Sequence, residues 1–108
     1  MTFDQIERII SLYEKSYSGP FSESTVKDDL ENKRALDSYS MLGSSPRQTH
    51  ELRAKKDFYI KEFNDNLIYI NKILDAARIH RSWDSMFISR CEKCKNEANK
   101  LLGIVRNF

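Results

Sequence analysis

The sequence predicts an all-α protein: a four-helix bundle-like domain built on a long antiparallel C-terminal helical hairpin. Apolar residues recur at intervals of three and four along most of the 108 residues. No segment alternates apolar and polar residues over a strand's length, and no hairpin dipeptide joins β-branched runs. Apart from a lone Gly103, Gly and Pro fall in two clusters, Ser18-Gly19-Pro20 and Gly43-Ser44-Ser45-Pro46, which divide the chain into helical stretches. Helices are expected over approximately 2–17, 24–42, 46–80 and 83–107 of one domain spanning residues 1–108.

Thr2 and Gln5 have the spacing of a capping box, and Phe3, Ile6, Ile9, Ile10, Tyr13 and Tyr17 follow at helical intervals. This first helix stops at Ser18-Gly19-Pro20, because Gly favours a helix exit and Pro has no backbone N–H to donate. Ser22 or Ser24 can cap the second helix, where Val26, Leu30, Leu36, Tyr39 and Leu42 keep the period loosely around a polar run from Glu31 to Arg34. Pro46 suits the first position of a third helix. From Arg47 to His80 there is neither Gly nor Pro, and Ile60, Phe63, Leu67, Ile70, Leu74 and Ala77 form a heptad seam. The run Leu67-Ile68-Tyr69-Ile70 spreads apolar groups around this helix and implies more than one packed neighbour. The pattern resets near Arg81-Ser82, where Ser82 can cap and Asp84 suits the first turn. Phe87, Cys91, Cys94, Ala98, Leu101, Val105 and Phe108 then form a second seam.

Length constrains how these helices are arranged. A 34-residue helix rises about 50 Å, whereas a compact chain of this size spans about 34 Å. The third helix therefore bends near Asn64-Asp65-Asn66, where helix propensity is poor, or joins the fourth in a long hairpin whose far end is buried by a second copy.

The composition, 40% apolar and 31% charged, is too apolar for a disordered chain and too polar for a membrane span. The opening Met1-Thr2-Phe3-Asp4 does not begin a charged-then-apolar leader, and the chain carries two cysteines. A reducing, cytoplasmic setting with free thiols is expected, with no membrane partner.

Cys91-Glu92-Lys93-Cys94 has the spacing of half a zinc site or a redox pair. No second Cys pair completes it, and His50 and His80 stand on distant segments. Both thiols occupy seam positions, so they read as small buried hydrophobes, with no metal or cofactor expected. Gly19, Gly43 and Gly103 stand alone, which leaves no phosphate-cradling loop, and neither a Gly-x-Ser-x-Gly nor a His-Glu-x-x-His pattern occurs. No enzymatic activity is expected.

Charge is unevenly divided: residues 1–45 hold five basic and eight acidic groups, residues 46–108 thirteen and eight. Arg47, Arg53, Lys55, Lys56 and Lys61 open the third helix, interleaved with Phe58 and Tyr59 as exposed aromatics. An antiparallel fourth helix brings Lys100 and Arg106 to the same end. Arg78, Arg81 and Trp83 gather at the hairpin turn, where Trp83 either meets a partner or closes the core. These residues are the candidate contact surface of a non-catalytic, self-associating protein that acts through a protein partner, as an adaptor, inhibitor or regulatory subunit. The alternative is a nucleic-acid-binding accessory protein using the basic start of the third helix.

Overall fold

The structure, a computed structural model, describes residues 2–43, 51–79 and 84–108. Four helices occupy them: α1 (Phe3–Tyr17), α2 (Glu23–Gly43), α3 (Glu51–Ile79) and α4 (Ser85–Asn107), with no strand among the described residues. The protein is all-α, and α3 and α4 share its most extensive interface. The expected helix start at Pro46 and the cap at Ser82 lie outside the described residues, as do the side chains of Tyr39 and Leu42.

Thr2 and Gln5 form the capping box, each backbone N–H donating to the other's side-chain oxygen. At the other end of α1 the chain turns tightly. The Phe21 N–H donates back to the Ser16 carbonyl at 2.8 Å, and a Cβ on Gly19 would lie 3.1 Å from the Lys15 carbonyl oxygen. Ser22 is the residue that caps α2, its hydroxyl accepting from the Thr25 N–H. Asp84 is the N-cap of α4 rather than a first-turn acid, since its carboxylate accepts from the Met86 N–H at 3.0 Å. A cap of this kind contributes about 1 kcal/mol.

Cross-helix contacts set the directions. Tyr17 meets Phe63 and Asn66, Phe21 meets Phe63 and Tyr59, and Asp29 meets Tyr59 and Lys55. Positions therefore rise along α1 and α2 as they fall along α3. Against α4 they rise together, from Phe3 on Phe87 through Glu14 on Arg90 and Glu23 on Lys100 to Arg34 on Phe108. Hence α1 and α2 follow one another as a broken arm along the α3–α4 hairpin, and the four helices make three rods. The molecule measures 60 × 21 × 19 Å, with a radius of gyration of 17.3 Å against about 13 Å for a compact chain of this length. Helix α3 runs unbroken through Asn64-Asp65-Asn66. Asn66 is tolerated there because its amide donates to the Tyr17 hydroxyl at 3.1 Å.

One apolar cluster joins all four helices. In α4, Phe87, Cys91, Cys94, Ala98, Leu101 and Val105 are all buried, as the heptad requires, and Leu102 is buried with them. The α3 seam is displaced: Phe63, Ile70, Leu74 and Ala77 are buried, Ile60 and Leu67 half-buried, and Tyr59 and Ile73 complete the face. The displacement follows from α3 packing on α4 and the arm at once. Ile68, expected to face a neighbour, is instead 57% exposed, and Leu36 lies outside the core.

Candidate functional site

The first turns of α3 hold most of the sequence-predicted contact residues. Successive residues advance 100° around a helix, so these side chains divide between two flanks. Lys55 and Tyr59 face α2, with Phe58 beside them. The Lys55 ammonium lies 3.3 Å from the Asp29 carboxylate and over the rings of Phe58 and Tyr59, 4.8 and 5.3 Å from their centroids. The Tyr59 hydroxyl donates to Asp29 at 2.6 Å. Expected as an exposed aromatic, Tyr59 is a core residue at 4% exposure, stacked on Phe63 with centroids 5.8 Å apart. Only its hydroxyl needs a polar partner, and Asp29 supplies one. Burial opposes the charge on Asp29, but the bonds from Tyr59 and Lys55 outweigh it and hold the carboxyl below its usual range. Burial, and then the neighbouring carboxylate, push the Tyr59 hydroxyl well up. Phe58 remains exposed beside this cluster.

The other flank holds no such carboxylate pairing among the described residues. Leu52, Arg53, Lys56, Asp57 and Ile60 of α3, with Arg106 of α4, line a groove of about 450 Å³. Its floor is apolar, Leu52 and Ile60 being half-buried against the core. Arg53 and Lys56 stand on the α3 side and Arg106 on the α4 side. Among the described residues none of the three makes an ion pair. Lys61 is exposed on the solvent side of α3, between the flanks. Leu52 and Asp57 were not anticipated. Leu52 has no signal in the α3 seam: continued back from Ile60, that seam falls on Lys56 and Arg53, and Leu52 lies eight residues before Ile60.

The expected basic end is thus smaller than its residue count. Lys100 contacts Glu23 at 2.7 Å, while Lys27 reaches the same carboxylate at 2.8 Å. Together, Lys100 first, they lower the Glu23 pKa to about 2. A cation the sequence did not single out does more for the architecture. Arg90 of α4 reaches across to α1, its guanidinium 2.6 Å from Glu14 and 3.5 Å from Glu7, and it donates to the Ser11 hydroxyl at 3.1 Å. Arg34 donates to the Phe108 carbonyl at 2.8 Å and covers that ring at 4.1 Å.

Cys91 and Cys94 lie in the core at 0% and 2% exposure, and burial pushes both thiols up to about 11. They are protonated at neutral pH and therefore poor nucleophiles. Arg47, Arg81 and Trp83, and the side chain of Arg78, lie outside the described residues. No described helix is long and apolar enough to cross a membrane. The chain matches no protein-family model, no curated protein and no solved structure.

Proposed function

We propose that this is a non-catalytic protein that works by protein contact, self-associating along its hairpin and presenting the α3–α4 groove to a partner. The observation that carries the reading is the extent of exposed surface. The chain exposes 7344 Å², against roughly 6,200 Å² for a compact monomer of its 12.7 kDa. The excess is about 1,100 Å², more than the roughly 800 Å² that each partner contributes to a standard interface. Ile68 and Ile79, 57% and 77% exposed, lie about three turns apart on one outer stripe of α3, which favours a second copy along that rod. The engagement of Lys55 by Asp29 and of Lys100 by Glu23 weighs against the nucleic-acid reading, since it leaves fewer cations for phosphates. Light scattering at high micromolar concentration tests the self-association. A mass of two or more chains is expected, and a strictly monomeric mass would remove it.

A further inference from the structure

We propose that the groove between the start of α3 and the end of α4 receives an acidic amphipathic helix of a partner protein. The proposal rests on the contact reading above and gives that contact its chemistry. Leu52 and Ile60 are two turns apart on α3, so they set an apolar floor about 12 Å long. A docked helix meets such a floor with apolar residues seven or eight positions apart, the spacing by which helix-in-groove partners are read. Arg53 and Lys56, three positions apart, form one cationic rim, and Arg106 on α4 belongs to the other. Among the described residues Asp57 is the single acid in the lining, and these groups give a net charge of +2, which complements glutamates flanking an apolar stripe. A polynucleotide fits less well, because single-strand binding joins cations to stacking rings and the described residues of this lining include no aromatic side chain. The nearby exposed ring, Phe58, stands on the opposite flank beneath Lys55.

The test uses the full chain and a labelled peptide of about 16 residues, with leucines at helical spacing flanked by glutamates, read by fluorescence anisotropy. The glutamate peptide should bind at least about tenfold more tightly than the same peptide with lysines. Lys56→Glu and Arg106→Glu should each weaken it by about tenfold, whereas Lys61→Glu, the same charge change outside the groove, should change affinity less than about twofold. All three positions are at least partly exposed, and circular dichroism checks that each variant folds. Equal binding of the two peptides, binding of neither, or an equal loss with Lys61→Glu overturns the proposal, as does tighter binding of single-stranded oligothymidylate. Light scattering on the same samples reads self-association separately. A dimer that ignores the glutamate peptide removes the groove and leaves the contact reading, while a monomer that binds it in the expected pattern keeps the groove.

Discussion

Lys55 and Lys56 are neighbours in sequence, and the fold gives them different chemistry. Lys55 points toward α2, where the Asp29 carboxylate and two aromatic rings fix its ammonium. Lys56 lines the groove beside the end of α4, together with Arg53, Arg106 and an apolar floor. A charge run on a helix is thus divided by whatever packs on each flank. Where the neighbouring helix supplies a carboxylate the cation becomes part of the structure, and where it supplies another cation the field stays open to a partner. The same rule separates Lys100, engaged by Glu23, from Arg106, six residues later in the groove.

The largest expected effect removes the support beneath both flanks. Phe63 is fully buried, stacks on Tyr59 and meets Phe21 and Tyr17. Phe63→Ala should cost about 3–5 kcal/mol in a urea titration. A loss below about 1 kcal/mol would mean that the arm does not pack there. Tyr59→Phe keeps the ring and removes the bond to Asp29, so about 1.5–3 kcal/mol should be lost while peptide affinity is retained. An unchanged stability would show that Asp29 does not anchor the α2 flank. Cys91→Ser places a hydroxyl in an apolar layer and should cost about 1–3 kcal/mol. Rapid labelling of either cysteine by a thiol reagent in the native protein would contradict the seam that sets both flanks.

The pH dependence sharpens the comparison from both ends. Glu23 and Asp29 have depressed pKa values, so the stability they contribute is present above the ordinary carboxylate range. It should be lost as pH falls from about 4.5, through the Glu23 value of about 2. The thiols are shifted upward, and their contribution, present below the unfolded value of about 8.5, should be lost as pH rises through about 11. Urea midpoints across this range should form a plateau between the two limbs. Arg90→Ala, which releases Glu7 and Glu14 at a partly exposed site, should cost less, about 0.5–1 kcal/mol, and less still at high salt.

Much of the hairpin is legible in the sequence because a heptad states both the period and the face. Phe87 through Val105 are buried as their spacing requires, and the cysteines follow from their place in that seam. The Thr2–Gln5 cap is equally local. What eludes a linear reading depends on partners far along the chain. Tyr59 looks exposed beside Lys55, Lys56 and Phe58 until Asp29, 30 residues earlier, takes its hydroxyl. The continuation of α1 into α2 as one arm depends on the closure of the turn from Ser16 to Ser22, whose Gly and Pro announce a break without a direction. The Arg90 link to Glu7 and Glu14 has no short-range signal, since its partners lie on another helix more than 70 residues away. The groove was half legible: its cations stand out in the sequence, but which of them stay open was decided by α2.

The most direct test of this division compares Lys55→Glu with Lys56→Glu, recording urea stability and glutamate-peptide affinity for both. Lys55→Glu should place a second carboxylate against Asp29 and lose about 1 kcal/mol of stability, with affinity changed less than about twofold. Lys56→Glu should hold stability within about 0.5 kcal/mol and lose about tenfold in affinity. If both variants lose affinity equally at unchanged stability, the two flanks form one undivided charged surface, and the separation of structural from contact cations is wrong.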